Sequence, residues 1–179
     1  MKYWKRITID YEEEIRERTL ELITKHSNIL DQSQFKGSFI PMPPEFVKFN
    51  TAINRAFEPY GRECVEAGVY LMWNNLDAIP HIDYQNAIAR VNIPLLNCEG
   101  SSTIFYDNVQ TKTLLLPTGA PYHAVINTDY REVDRVEIDS PTILRISAPH
   151  SVIMNEACAP RLTLTLMLTP DIGDLLDQD

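Results

Sequence analysis

From residue 63 onward the chain alternates short apolar runs, rich in Val, Ile, Leu, Thr and Tyr, with turn residues. A spacing of about 8–12 positions between turns is the pattern of an all-β sandwich or barrel. Strands are expected near 66–73, 79–83, 88–95, 101–106, 111–116, 133–138, 142–147, 150–154 and 161–168. The last is the clearest. In RLTLTLML, Leu162, Leu164, Leu166 and Leu168 share one face, and Arg161, Thr163, Thr165 and Met167 share the other, because successive side chains on a strand point to opposite sides. The leucine face is expected to pack, while the second face is partly polar.

Before residue 63 the period changes. Over 11–27, Ile15, Leu20, Leu22 and Ile23 fall on a loosely helical spacing, and Glu12, Glu13 and Glu14 suit the positive end of a helix dipole. A second helix is expected over 43–58, opened by Pro43 and Pro44, with Phe46, Phe49, Ile53 and Phe57 recurring at three- and four-residue steps and Gly61 beyond its end. The expected fold class is therefore mainly β with N-terminal helices packed on it. One domain covers 1–179: helical support over 1–62, a β core over 63–170, and an acidic tail over 171–179 that reads as a frayed, solvated end.

With 179 residues, 44% of them apolar, the chain can bury most of its unfolded surface without disulfides. Its twelve prolines fit many short elements joined by turns. The net charge of −9 repels phosphate backbones and anionic membranes, so neither nucleic acid nor a membrane is expected as a partner. Cys64, Cys98 and Cys158 are odd in number and far apart, with no C-x-x-C spacing, which argues against a disulfide framework or a thiolate metal site and makes the reducing cytosol the default compartment. No run of 18 apolar residues occurs.

The segment IPHIDY brings candidate chemistry. His81 and Asp83 are two apart, so on a strand they share a face with Cβ atoms roughly 6.5–7 Å apart, close enough to converge on one ion. A lone His-x-Asp can equally be a histidine with a structural carboxylate partner, and a third ligand must come from elsewhere. His150, in SAPHSVIM at the junction of two late strands, is the candidate, with His26 and His123 as the other histidines. Two imidazoles and one carboxylate with open positions left over suit Fe(II) that must bind a cosubstrate and O₂ together. Arg161 on its own reads as a surface cation at a strand start.

The order His81-x-Asp83, then His150, then Arg161 eleven residues later at the head of an alternating strand resembles the 2-oxoglutarate/Fe(II)-dependent oxygenase superfamily over roughly residues 63–170. The stretch HIDYQNAIARVNIPLLNCEGSSTIFYD is similar to its aspartyl/asparaginyl β-hydroxylase-like branch, including small bacterial and phage members. That branch's best-known enzymes lack the acidic ligand, whereas Asp83 is present here, so the substrate does not carry over. The resemblance implies a double-stranded β-helix (a cupin-like jelly roll), with His81, Asp83 and His150 as ligands of Fe(II). It also implies 2-oxoglutarate with its distal carboxylate on Arg161 and Thr163, O₂ as cosubstrate, and ascorbate as a candidate stimulant. Hydroxylation of an unactivated C–H bond would accompany conversion of 2-oxoglutarate to succinate and CO₂. The substrate would be a small molecule or a peptide; an amino-acid or peptidyl side chain is suggested by the resemblance alone.

On the strand 88–95, Arg90 and Asn92 share a face opposite Val91, Ile93 and Leu95, so both could look into the barrel mouth toward cosubstrate or substrate, or could simply face outward. Tyr106, Tyr84 and Trp73 are pocket-wall candidates or ordinary packing. His123, after PTGAPY, reads as a loop residue, and His26 as a favourable charge at a helix end. Three other readings stay open: a cupin-like isomerase, a non-catalytic metal-binding module, and a zinc hydrolase using the same triad.

Overall fold

The computed structural model of the chain describes residues 1–25, 38–75, 79–83, 87–115 and 121–178. Helix α1 (Glu12–Lys25) is the first element of the helical support, with acidic residues in its first turn and Lys25 in its last, both favourable to the dipole. Its buried stripe is Ile15, Thr19 and Ile23. Thr19 joins that stripe because its hydroxyl donates to the Ile15 carbonyl at 2.6 Å, so the buried hydroxyl keeps a partner.

The single helix expected over 43–58 is two: α2 (Pro44–Phe49) and α3 (Thr51–Phe57). Asn50 leaves helical geometry at φ −83° and ψ 83° and caps α3, its side chain accepting from the Ile53 amide at 3.4 Å. Asn is a preferred helix starter because its side-chain oxygen satisfies an orphan backbone donor. The apolar three- and four-residue spacing runs across this break and so conceals it.

Two antiparallel six-stranded sheets follow. The strands are β1 (Trp4–Arg6), β2 (Ser38–Pro41), β3 (Glu63–Met72), β4 (His81–Ile82), β5 (Arg90–Leu96), β6 (Ser102–Asp107), β7 (Thr111–Leu115), β8 (Pro121–Val125), β9 (Arg131–Glu137), β10 (Thr142–Leu144), β11 (His150–Ile153) and β12 (Arg161–Thr169). The first sheet runs β1-β10-β5-β12-β3-β2 and the second β7-β8-β4-β11-β6-β9. They pack as a sandwich with jelly-roll connectivity, the fold class expected. β1, β2 and β8 lie outside the strands expected from the sequence; each is short, and two contain proline.

The first sheet is buried on both sides. Leu162, Leu164, Leu166 and Leu168 join Val91, Ile93, Leu95 and Ile143 in one core with Ile15, Ile53 and Phe57 of the helices. On the opposite side, Met167 packs with Phe105, Ile146 and Leu144 in a second core between the sheets. The polar face of β12 is therefore an interior surface: Arg161, Thr163 and Thr165 are all buried.

The acidic tail is a correction. Ile172–Asp177 forms a 3₁₀ helix whose Ile172, Gly173 and Leu176 are buried against the helix-side core. Arg62 pairs with Asp174 at 2.6 Å, and Arg145 with Asp177 at 3.0 Å. Apolar burial and two ion pairs hold a segment whose composition alone reads as solvated. Among the described residues, no helix is long and apolar enough to cross a membrane.

Candidate metal centre

β4 is only two residues long, but its pairings place the site. His81 sits directly opposite His150, the first residue of β11, and His150 faces Phe105 of β6 on its other side. The two imidazole centroids are 4.7 Å apart. Asp83, just beyond β4, is fixed by its own amide donating to the Ile146 carbonyl at 3.3 Å, and its Oδ1 lies 3.4 Å from His81 Nε2. One nitrogen or oxygen from each of the three residues lies within 4.8 Å of the others. Bonds of about 2.1 Å to one ion would put such atoms about 3–3.4 Å apart, so a modest closing of the trio suffices.

Tautomers are set by the backbone. His81 Nδ1 lies 2.8 Å from the Ile79 carbonyl, and His150 Nδ1 lies 2.9 Å from the Ala148 carbonyl. A carbonyl oxygen only accepts, so Nδ1 carries hydrogen in both rings, and each imidazole has its lone pair at Nε2 once that nitrogen is unprotonated. This is the outer support that metal-binding histidines use. In both cases the supporting carbonyl belongs to the residue two positions earlier in the chain.

Electrostatics agree with the geometry. For His81, burial is the largest single influence and opposes protonation. The Asp83 hydrogen bond, the Asp83 charge and the Ile79 carbonyl together outweigh it and hold the imidazole above its ordinary value. Burial would raise Asp83, but the His81 hydrogen bond and the charges of His150, His81 and Arg90 bring it below the usual carboxylate range. Burial, then the charge of His81, pushes His150 down. The trio thus keeps an ionised carboxylate and a neutral His150 ready for a cation.

Across the sandwich, Arg161 is 3% exposed. Its only polar contact among the described residues is Nη1 to the Met72 sulfur at 3.8 Å, and its Nε has no partner. Burial pushes this guanidinium below its ordinary value, with Cys98 acting the other way. Thr163 lies on the same strand face, buried, 3.6 Å from Cys98 Sγ, which itself donates to the Leu162 carbonyl at 3.0 Å. A sealed guanidinium without an anion costs several kcal/mol. A guanidinium's fork of donors matches the two oxygens of a carboxylate.

The remaining candidates divide. Arg90 and Asn92 do face the interior, in register with Leu144 and Thr142, opposite the helix-packed Val91, Ile93 and Leu95. Arg90 pairs with Glu66 at 2.8 Å. Tyr106 does not reach the site: it lies on the far face of β6 from Phe105, bonded to Ser151 at 2.9 Å and edge-on to Tyr130. A register shift between Phe105 and Tyr106 accompanies this turn-away. Trp73 packs on the helix-side core, and Tyr84 and His26 lie outside the described residues. His123 stands in β8 instead of a loop, paired with Ile82, which puts it on the face away from His81.

Two residues were not anticipated. Tyr122 shares the face of Ala124, the partner of His81, and its ring is edge-on to His81 with centroids 6.4 Å apart. Tyr70 sits across from Thr163 in the field of Asp83. The alternation in PYHAV was the available signal for Tyr122, masked by the preceding Pro-Thr-Gly-Ala-Pro. No protein-family profile matches the chain, and a search of curated proteins finds no match. Fold and site geometry therefore carry the functional reading.

Proposed function

We propose that the chain is a non-haem Fe(II)- and 2-oxoglutarate-dependent dioxygenase that hydroxylates an unactivated C–H bond, of an amino-acid or peptidyl side chain. The carrying observations are the His81/Asp83/His150 trio and, on the other sheet, a buried Arg161 with no anionic partner among the described residues. A zinc hydrolase, a cupin-like isomerase or a non-catalytic metal-binding module accounts for the trio, but gives Arg161 nothing to hold.

In this reading His81, Asp83 and His150 would hold Fe(II), a donor set that suits iron working with a cosubstrate and O₂. Arg161 and Thr163 take the distal carboxylate of 2-oxoglutarate. When bound, the metal and cosubstrate supply O₂ activation, so that R–H, O₂ and 2-oxoglutarate yield R–OH, succinate and CO₂. The protein orients the two imidazoles through the Ile79 and Ala148 carbonyls and keeps water from the carboxylate subsite through the burial of Arg161 and Thr163. The net charge of −9 favours a small molecule or peptide over nucleic acid as substrate, and free cysteines suit a reducing cytosol.

The test is anaerobic Fe(II) titration with and without 2-oxoglutarate, followed in the visible range. A weak charge-transfer band that needs both components, and is lost in His150→Ala and Arg161→Ala, is expected. Tight zinc binding indifferent to 2-oxoglutarate, with no band, would refute the reading in favour of the hydrolase or binding module.

A further inference from the structure

Glu66 and Arg90 form an ion pair that the metal trio does not use. Glu66 lies on the interior face of β3, paired with Met167 of β12, and Arg90 opens β5 on the other side of β12, so the pair flanks Met167 within the sandwich. Arg90 Nη2 is 2.8 Å from Glu66 Oε1, with the Arg90 side chain 4% exposed and Glu66 40% exposed. The guanidinium face is stacked 5.6 Å from the Phe39 ring.

That stack is built into the backbone. A Cβ on Gly68 would stand 2.2 Å from Phe39 Cε2, so only glycine lets the ring lie there. Arg90 also sits close enough to Asp83 and Tyr70 for its charge to act on both. A structural clamp would need neither the aromatic platform nor a carboxylate left 40% exposed. A guanidinium fork next to an accessible carboxylate has the opposite charges, in adjacent positions, of an α-amino-acid backbone.

We propose that Arg90 and Glu66 form the substrate subsite, Arg90 taking the α-carboxylate and Glu66 the α-ammonium of a free L-amino acid whose side chain is presented to the metal. This rests on the oxygenase reading and deepens it: the hydroxylated molecule is a free amino acid, not a residue within a polypeptide. Blocking either charge on such a ligand removes a charge-assisted contact, so affinity falls about ten- to hundred-fold.

The experiment uses the protein loaded with Mn(II) and 2-oxoglutarate. Each of the twenty proteinogenic L-amino acids is screened by ligand-observed NMR, and any binder is compared with its N-acetyl and carboxamide derivatives by calorimetry. Expected is at least one binder with submillimolar affinity that loses at least tenfold on either modification. Glu66→Gln should lose the discrimination against the N-acetyl derivative while binding Mn(II) and 2-oxoglutarate as the parent does. Arg90→Lys should weaken the free amino acid, and its thermal melting is followed to separate loss of recognition from loss of fold. No binding by any of the twenty at 10 mM, equal binding of the blocked derivatives, or loss of 2-oxoglutarate affinity in Glu66→Gln overturns the proposal. The iron charge-transfer band of the parent reports separately on the oxygenase reading, so a band without amino-acid binding defeats only the subsite.

Discussion

Arg161→Met should stabilise the ligand-free protein and abolish its response to 2-oxoglutarate. The guanidinium is 3% exposed and its one polar contact among the described residues is a thioether sulfur at 3.8 Å. Replacing an uncompensated buried charge by an apolar side chain of similar length is worth about 1–3 kcal/mol. For a domain of 179 residues that corresponds to a rise of roughly 2–12 °C in Tm. The parent should respond to ligand in the opposite way: with metal present, 2-oxoglutarate at about 100 times its Kd adds about 2.7 kcal/mol, a shift of roughly 5–10 °C. Differential scanning fluorimetry with Mn(II), with and without 2-oxoglutarate, measures both quantities on both proteins. The reasoning fails if Arg161→Met melts below the parent and still gains stability from 2-oxoglutarate, because Arg161 would then be a structural cation with the ligand held elsewhere.

Three other expectations follow from particular contacts. Metal affinity should fall as pH drops, and His81 sets the limit: it binds its proton above the ordinary imidazole value while His150 is pushed below it. Protons therefore compete first at His81, and Mn(II) titrations across pH 5.5–8 should show weakening before His150 charges; an affinity flat with pH would contradict this. Gly68→Ala should cost about 1–2 kcal/mol in denaturant unfolding by displacing the Phe39 ring, and almost nothing further in a Phe39→Ala background, where full additivity would show that the clash is not the cause. Leu176→Ala removes a side chain with 0% exposure from the C-terminal 3₁₀ helix and should cost about 2–4 kcal/mol, whereas a frayed tail would give no change in the urea midpoint.

Much of the β core was legible because strand alternation is a local property. RLTLTLML appears as β12 within a residue, and the strands around 102–106, 111–115 and 161–168 needed no long-range information. Elements set by their surroundings were less legible. β1 is three residues long and exists through pairing with β10, and β8 follows a proline- and glycine-rich stretch. The tail packs because Ile172 and Leu176 enter a core built by residues distant in sequence, with Arg62 and Arg145 meeting Asp174 and Asp177 at its rim.

The chain's local pattern determined a mainly β domain, a His-x-Asp pair and a strand with an arginine at its head. Those follow from the two-residue period of a strand, which is written into consecutive residues. Tertiary structure decided which histidine completes the trio: His150 pairs with His81 across β11 and β4, while His123 pairs with Ile82 and points away. It also decided that the polar face of β12 is interior, since the helices cover the leucine face and the second sheet covers the other. Alternation tells two faces apart but not which is buried, and a charge reveals whether it has a partner only when the chain around it is in place.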